Sequence, residues 1–461
     1  MCKRTVANPV RSYVNILLIS PNTLTTPYPV YPIGLDYVAA SVAKNHRVRI
    51  VDMNCMDLDE LAVFMGEFQP QIIGISCRNI DNTDEGDSRF FIRSYRRLVA
   101  WIRERSGAVI VCGGAGFTIM PEKIFAALEV DYGIIGEGER FGLLVEAIVA
   151  GDEPTDIPGV IAAGGYNEPP RPWQGEQVRA FDPKYPHHHF YIKKGGMLNL
   201  QSKRGCSFSC IYCPYPHIEG HRHRRVAPHE VAEMALCLQQ AGARYLFMTD
   251  SAFNSDVQHS LAVARAFKKA KLTIPWGGFF APIRMDSDYF AIMADSGLQH
   301  VEFGTEAMSA AMLKTYRKPF SVQDVFEAHR QARTAGVHTA HYLLLGGPGE
   351  SEITLQETLD ALEHLEKAVL FFFIGIRIYP WTTLYDMALA EGKIDGETDL
   401  LEPVFYQADA IDHTAIEAMV TERAAGRRNW VVGSGGAAGA ETLARLHERG
   451  FTGPLWEYLV R

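Results

Sequence analysis

The chain has few of the features that mark membrane, secreted or nucleic-acid-binding proteins. None of its apolar runs reaches the roughly 20 residues that a membrane-spanning helix needs, and the run at 369–376 is typical of a buried strand. Polar residues follow Met1 where a secretory signal would be apolar, and the formal net charge of −9 provides no basic surface for nucleic acid. These absences predict a cytoplasmic protein with no membrane span and no nucleic-acid partner.

A disulfide framework is absent too, because most of the eight cysteines are isolated, which favours a reducing compartment. Cys206, Cys210 and Cys213 are the exception and form a C-x3-C-x2-C motif. Three thiolates can bind one face of a cubane 4Fe-4S cluster and leave one iron open to a substrate. A zinc site completed by His217 or His221 is the alternative. The isolated cysteines are Cys2, Cys55, Cys77, Cys112 and Cys237.

The distribution of apolar residues predicts an α/β protein with two folded domains. In residues 1–150, five short apolar runs alternate with helical patterns, which indicates a doubly wound, flavodoxin-like domain. Residues 151–194 are rich in glycine and proline and are expected to form a linker. A second alternation over 195–390 predicts a partial (β/α)6 barrel, and 391–461 a small, partly helical C-terminal region.

Glycine-rich turns follow two predicted strands of the first domain, at Gly113-Gly114-Ala115-Gly116 and at Gly136-Glu137-Gly138. Glycine lets the backbone approach a large flat or phosphorylated ligand at this edge of a parallel sheet. Neither turn is the G-x-G-x-x-G motif of dinucleotide sites, so a nicotinamide or flavin is only weakly supported. Ordinary tight turns are the alternative interpretation.

The cysteine motif, with Lys203-Arg204-Gly205 before it and Pro214 after it, resembles the radical S-adenosylmethionine (SAM) superfamily. In that family the open iron chelates the amino and carboxylate groups of SAM. Further residues resemble family motifs at the ends of barrel strands, and Trp381 replaces a usual glycine, where it could line the substrate pocket. The resemblance implies that SAM is bound by Tyr212, Asp250, Ser251, Glu306, Gly346 and Tyr379.

The first 150 residues resemble the cobalamin-binding domain that is fused to many radical SAM enzymes, on the segments 31–37, 113–118 and 131–139. The Asp-x-His-x-x-Gly motif that supplies a histidine to cobalt is missing. Arg78 could instead lie under the corrin, or could pair with Asp81 or Asp84 and order its loop. The resemblance implies that cobalamin is bound by Ser76, Arg78, Asn79, Asn82, Gly113, Gly114, Ala115, Gly116, Gly136, Glu137 and Gly138.

The two resemblances together imply a cobalamin-dependent radical SAM methyltransferase. It would act on an unactivated carbon of a small-molecule, lipid or natural-product substrate, and it would need an electron donor such as flavodoxin or ferredoxin. Its cofactors would be a 4Fe-4S cluster, SAM and cobalamin. A cyclisation, a rearrangement or the transfer of another SAM fragment is the alternative within the family. A cobalamin carrier or sensor is the alternative outside catalysis.

Overall fold

The computed structural model describes residues 13–25, 28–165, 168, 170–433 and 436–460, so Cys2 lies outside the described residues. The chain divides into two compact units. The N-terminal unit contains the described residues before Thr23 together with Gly34–Arg78 and Arg93–Asp182. The C-terminal unit contains Thr23–Ile33, Asn79–Ile92 and the described chain from Pro183 onward.

A six-stranded sheet forms the centre of the N-terminal unit, in the order β2-β1-β3-β4-β5-β6. The first five strands are parallel and β6 is antiparallel to β5, so the flavodoxin-like prediction is confirmed. Four consecutive Ile and Leu residues make β1 apolar on both faces, as a central parallel strand requires. The strands are β1 (Asn15–Ser20), β2 (Arg47–Asp52), β3 (Ile72–Ser76), β4 (Val109–Gly113), β5 (Tyr132–Ile134) and β6 (Val160–Ile161).

Helices cover this sheet and bury its apolar side chains. Phe141 and Leu144 of the last helix pack into the same core as Ile16 and Leu18 of β1. Asp57 caps the second helix by accepting from the backbone of Glu60, whose side chain accepts in return. The helices are α1 (Ile33–Val42), α2 (Leu58–Phe68), α3 (Ile92–Arg103), α4 (Ala115–Ile119), α5 (Pro121–Leu128) and α6 (Arg140–Ala150).

The segment predicted as a linker, 151–194, is divided between the two units. Its part up to Asp182 belongs to the N-terminal unit, where it supplies β6 and the single-turn helix Pro154–Asp156. Arg179 forms a buried ion pair with Asp36, at 2.8 Å. The pairing of one arginine with a carboxylate more than a hundred residues away leaves no local pattern in the sequence, which shows only glycine and proline.

A seven-stranded parallel sheet forms the C-terminal unit, in the order β17-β14-β13-β12-β11-β10-β7. The six predicted strands follow one another in chain order, which confirms the partial barrel, and the C-terminal region adds β17 beside β14. The strands are β7 (Met197–Leu200), β8 (Lys203–Arg204), β9 (Arg224–Arg225), β10 (Tyr245–Met248), β11 (Trp276–Phe280), β12 (Leu298–Glu306), β13 (His338–Leu345), β14 (Ala368–Ile374), β15 (Ile376–Arg377), β16 (Phe405–Tyr406) and β17 (Trp430–Val432).

The helices of this unit pack on the outer face of the sheet, and alternate residues of each strand point to the inner face. Gly242 and Gly336 follow α9 and α13 with φ of +102° and +80°, the left-handed conformation in which glycine commonly ends a helix. The helices are α7 (His187–Lys193), α8 (Tyr215–Glu219), α9 (Pro228–Gln240), α10 (Val257–Ala270), α11 (Tyr289–Asp295), α12 (Ala310–Thr315), α13 (Val322–Thr334), α14 (Glu352–Leu362), α15 (Thr383–Ala390), α16 (His413–Ala424) and α17 (Gly436–Glu448).

The last described residues, Trp456–Val460, form a short 3-10 helix. Trp456 packs against Ala340 of β13 and Val369 of β14, so the end of the chain closes part of the inner face. Across the described ranges, no helix combines the length and the apolar character needed to cross a membrane.

Candidate functional site

The three clustered cysteines lie in a loop that leaves the short ribbon of β8 and β9. The loop is closed at its base because Gly205 N donates to Glu219 Oε2 at 2.9 Å and Cys206 N donates to Gly220 O at 3.1 Å. Gly205 has φ of +89°, and a Cβ there would lie 2.3 Å from the carbonyl oxygen of Arg222. Only glycine fits this position, which explains the Arg-Gly-Cys sequence at the start of the motif.

The thiols of Cys206, Cys210 and Cys213 are all free, with the first buried and the other two half-buried. Burial is the main reason that the pKa of Cys213 rises to about 12 and that the pKa of Cys206 is also raised. The nearby Cys210 raises the pKa of each further, because like charges repel. Three thiols that share one small loop fit a cubane cluster, since iron binding replaces their protons.

No three His, Cys, Asp or Glu side chains in the described part of the chain form a group that could hold a single metal ion. The cluster interpretation requires only three protein ligands, all of which the loop provides.

Asp250, predicted to bind SAM, uses both carboxylate oxygens to hold the start of the cysteine loop. Its Oδ1 accepts from Ser202 N at 2.7 Å, and its Oδ2 accepts from Ser202 Oγ at 2.6 Å and from Lys203 Nζ at 3.0 Å. Lys203 also donates to the carbonyls of Ala252 and Phe253, and its side chain is 1% exposed. The geometry therefore gives Asp250 a positioning role, because its described contacts all lie within the protein.

The neighbouring Ser251 differs in this respect. Its hydroxyl is buried and has no hydrogen-bond partner among the described residues. A buried polar group without a partner is costly unless a ligand satisfies it. This buried hydroxyl therefore supports the prediction that Ser251 contacts SAM.

Glu306, at the end of β12, lies in a charged cluster beside the cysteine loop. Lys318 Nζ lies 3.4 Å from Glu306 Oε1 and 3.1 Å from the hydroxyl of Tyr212. Burial lowers the pKa of Lys318, but Glu306, Cys210 and Cys213 outweigh it, so the net pKa is raised and the ammonium stays charged. Burial, with Glu306 and the same thiols, raises the pKa of Tyr212 well above its usual range. The sequence pointed to Tyr212 and Glu306 but gave no signal for Lys318.

The backbone at Glu306 is strained, because its φ of +66° lies in a region that non-glycine residues rarely adopt. Strain of this kind costs about 1–3 kcal/mol and is common at functional sites. The register between β12 and β13 also shifts between Gly304 and Glu306. These two features turn the Glu306 carboxylate towards Lys318 at the carboxyl edge of the sheet.

A chain of hydrogen bonds on the outer face holds Thr305, the residue before Glu306. The carbonyl of Glu366 can only accept, so His329 donates from Nε2 and its Nδ1 must accept from His341 Nε2, at 3.1 Å. His341 Nδ1 then accepts from Thr305 Oγ1, at 2.8 Å. Burial lowers the pKa of His329 to about 4 and holds the pKa of His341 well below its usual range, so both rings stay neutral. No local sequence pattern predicts this series of hydrogen bonds.

Gly346 begins the turn after β13 with φ of +87°, and its backbone N donates to Glu350 Oε2 at 3.4 Å. A Cβ at the adjacent Gly347 would lie 2.5 Å from the ring of Tyr316. The turn is thus a tightly packed backbone edge, which suits the predicted contact with SAM.

Tyr379, another predicted SAM contact, donates its hydroxyl to Asp81 Oδ1 at 3.3 Å. Arg377 donates to the other oxygen of Asp81 at 2.8 Å, in an ion pair whose two side chains are 2% and 1% exposed. Arg377 and Tyr379 are therefore partners of Asp81 that the sequence analysis did not predict. Burial and the Asp81 charge raise the pKa of Tyr379, so its hydroxyl keeps its proton.

Trp381, expected to line the substrate pocket, is 68% exposed. Its ring stacks on His217 of the cysteine loop, with centroids 5.4 Å apart and planes 8° apart. The structure thus places Trp381 as an outer cover of this loop.

The glycine turns of the N-terminal unit meet at the carboxyl edge of its sheet, where ligands of such sheets bind. Gly114 has φ of +110°, and a Cβ there would lie 2.9 Å from the carbonyl oxygen of Cys77. Gly116 N donates to the carbonyl of Arg78, and Thr118 Oγ1 connects Gly114 O with Gly136 N. The structure therefore brings together the predicted residues that end β3 and follow β4 and β5. They are Ser76, Arg78, Gly113, Gly114, Ala115, Gly116 and Gly136.

Three of the remaining four predicted cobalamin residues contact other residues of the protein. Glu137 is buried against Arg140, at 3.4 Å, and accepts from Trp173 N, while Gly138 gives room to Val38, 2.5 Å from where its Cβ would lie. Asn82 donates to the carbonyl of Asp87 and accepts from Arg89 N, within its own loop. Asn79 and Asn82 both belong to the C-terminal unit. The glycine edge, which is built from backbone, is the part of this set that fits a flat corrin.

Comparison with known proteins identifies both regions. Residues 200–362 match the model of the Radical SAM superfamily, and residues 19–143 match that of the B12 binding domain. The tryptophan 2-C-methyltransferase of Streptomyces laurentii is 24% identical over 80% of this chain and 73% of its own length. The cytidylyl-2-hydroxyethylphosphonate methyltransferase of Streptomyces wedmorensis is 24% identical over 86% of each chain.

A solved structure shares the fold over nearly the whole chain. It is the radical S-adenosylmethionine methyltransferase TsrM from Kitasatospora setae, with tryptophan substrate and the SAM analogue aza-SAM bound. The TM-score is 0.86 at 21% identity, covering 96% of this chain and 97% of that one.

Proposed function

We propose that this chain, which belongs to the radical SAM superfamily and carries a B12-binding domain, is a cobalamin-dependent radical SAM methyltransferase. The observation that carries the proposal is the loop of Cys206, Cys210 and Cys213, closed by glycine and bordered by Glu306 and Lys318. Both of the curated relatives described above are named methyltransferases. A carrier or sensor would not need this loop.

The three cysteines would hold a 4Fe-4S cluster, and Ser251, Glu306 and the Gly346 turn would contact SAM. The glycine edge of the N-terminal unit would hold cobalamin. When bound, the cluster supplies an electron to SAM and cobalamin carries the methyl group. The chain itself supplies charge balance and orientation: Lys318 neutralises Glu306 and the thiolates, and the Thr305–His341–His329 chain fixes the strand end that carries Glu306.

The substrate would be a small molecule, lipid or natural product that is methylated at an unactivated carbon. The named activities of the relatives, on tryptophan and on a cytidylyl phosphonate, support a small molecule without identifying it. We further propose that flavodoxin or ferredoxin is the electron donor, that nucleic acid is not a partner and that the enzyme works in the cytoplasm. A cluster with an open iron needs such reducing surroundings.

The test is anaerobic reconstitution with iron and sulfide. The protein should bind about four irons per chain. A variant with Cys206, Cys210 and Cys213 all changed to Ala should lose the iron and all cleavage of SAM, whereas Cys237→Ala, a free cysteine on α9, should keep both. Methylation should yield S-adenosylhomocysteine together with 5′-deoxyadenosine. Iron binding and turnover in the triple variant would refute the proposal.

A further inference from the structure

We propose that the inner face of β11–β14 binds a planar aromatic ring of the substrate, in a space over Gly304 beside the ring of Tyr342. We call this space the aromatic slot and define it by Gly304, Tyr342 and Phe279. The inference rests on the proposed function, because it assigns a substrate class to the same barrel.

A ladder of stacked rings leads to the slot. In a sheet, residues in register on neighbouring strands are roughly 4.8 Å apart, a spacing at which flat side chains can stack. Phe371 of β14 and Tyr342 of β13 are in register, with ring centroids 4.9 Å apart and planes 18° apart. Phe373 lies nearly parallel to Tyr342 as well, at 6.2 Å and 13°. Both phenylalanine rings therefore stack on the β14 side of Tyr342, which leaves the ring face towards β12 for a ligand.

The ladder stops at a glycine. The residue in register with Tyr342 on its other side is Gly304 of β12. A Cβ at Gly304 would have a single neighbouring atom within 4 Å, Oε1 of Glu306 at 3.1 Å. The backbone of Gly304 does not require glycine, because its φ lies outside the left-handed region. The absence of a side chain at Gly304 thus leaves a space beside Tyr342 that the Glu306 carboxylate borders, and a flat ring placed there would continue the ladder at the same spacing.

Phe279 of β11 lies beside the slot, one layer of side chains before Gly304 in the direction of the strands. Its partner in register is Glu302, and its ring meets Phe247 edge-on at 5.0 Å. Although it lies on the inner face of a sheet, Phe279 is 39% exposed. Apolar surface of this kind in a concave site is typical of a ligand-binding wall. A bound aromatic ring would cover it.

A buried carboxyl group fixes the orientation of the ladder. Glu302, two residues before Gly304 on the same face, is 1% exposed. Its Oε2 accepts from the hydroxyl of Tyr342 at 2.9 Å, and its Oε1 accepts from Trp456 Nε1 at 3.0 Å. Because the hydroxyl end of Tyr342 is held, its ring cannot turn away from the slot. Such pre-organisation favours a flat ligand over a flexible one.

The position along β12 connects the slot with the chemistry. Glu306 lies two residues after Gly304, at the strand end where it meets Lys318 beside the cysteine loop. A ring over Gly304 would therefore lie next to the proposed SAM site and inside the barrel. This placement is the one that a substrate of the proposed reaction needs.

The test uses phenol and cyclohexanol, which are matched in size and hydroxyl group but differ in flatness. Saturation-transfer NMR on the full chain should show saturable phenol binding that is three- to tenfold tighter than cyclohexanol binding. Gly304→Val should abolish the preference by filling the slot, and Tyr342→Leu should weaken it. Phe326→Leu, a ring change on α13 outside the barrel, should leave it intact.

Equal binding of the two probes, or unchanged phenol binding in a folded Gly304→Val variant, would overturn the inference. If Gly304→Val does not fold, binding of phenol and of cyclohexanol is compared on the unmodified protein and on Gly304→Ala. That comparison then tests the inference. Cluster assembly and SAM-dependent methylation are measured separately on the unmodified protein. Methylation without a preference for phenol would refute the aromatic slot alone, whereas a phenol preference without a cluster would support the slot and refute the proposed function.

Discussion

Lys318 balances the charges beside the cysteine loop, because its ammonium lies between the Glu306 carboxylate and the Tyr212 hydroxyl. Lys318→Met would leave that carboxylate without its cation in a place where both side chains are nearly buried. A hydrogen bond to a charged group contributes about 1.5–3 kcal/mol, so SAM cleavage at low SAM should fall at least about tenfold.

The matched control is Lys314→Met, an exposed lysine of α12, which should leave SAM cleavage unchanged. Lys318→Arg should recover part of the activity, because it restores the charge. Iron content should be similar in all three proteins. An unchanged KM for SAM in Lys318→Met would contradict this account.

Glu302 makes the stability of the barrel depend on pH. Burial raises its pKa from 4.5 to about 7, against the opposing hydrogen bonds from Trp456, Tyr342 and Tyr28. The folded state holds the Glu302 proton more tightly than the unfolded state does, so protonation of Glu302 stabilises the fold. This stabilisation is complete below about pH 4.5 and is lost as the pH rises to about 7. The difference corresponds to at most about 3 kcal/mol.

As the pH rises from about 5 to about 8, the free energy of unfolding of Glu302→Gln should therefore fall less than that of the unmodified protein. Urea unfolding measures both. Glu397→Gln, at an exposed position, should follow the unmodified protein. Parallel curves for Glu302→Gln and the unmodified protein would show that Glu302 does not titrate in this range.

The residues that the sequence could identify are those with local signatures. The cysteines stand within one short motif, and Glu306 directly follows a predicted strand. Lys318, His341 and Arg377 act through partners 12 or more residues away, such as Asp81 at a separation of 296 residues for Arg377. Single residues of common types leave no periodic pattern in the sequence. Their contacts therefore become visible only in the three-dimensional structure.

At the scale of elements, the cysteine loop depends on the conformation of Gly205. Gly205→Ala would put a Cβ 2.3 Å from the carbonyl oxygen of Arg222, in a backbone with φ of +89°. The loop should then shift, and reconstituted iron should fall by at least half, while the helical circular-dichroism signal stays constant. Gly396→Ala, where a Cβ would have no neighbour within 4 Å, is the control. Full iron content in Gly205→Ala would show that the loop tolerates a side chain.

The parallel strands were predicted from the sequence with one exception, and the three-residue β5 is among those predicted. The parallel strands of both sheets are apolar runs of three to nine residues separated by helical patterns. The exception is β17, three residues in the region expected to be small and partly helical, which joins the barrel beside β14. A strand this short is specified by its pairing partner, so its own sequence predicts little.

At the scale of the whole molecule, the N-terminal unit extends to Asp182 and is fastened by Arg179. Arg179→Met should destabilise this unit by about 3–5 kcal/mol, because it breaks the buried ion pair with Asp36. Arg171→Met removes an exposed ion pair with Glu168 and should cost less than about 1 kcal/mol. Thermal unfolding of the full chain measures both, and similar transitions for the two variants would contradict the assigned boundary.

The central claim is that one chain uses SAM, an iron–sulfur cluster and cobalamin to move a methyl group. The most direct measurement is to incubate the anaerobically reconstituted protein, loaded with cobalamin and reductant, with SAM labelled on its methyl group, and then to extract the cobalamin. The account predicts label on the extracted cobalamin and an equal amount of S-adenosylhomocysteine. Unlabelled cobalamin from protein that holds both cofactors would contradict it.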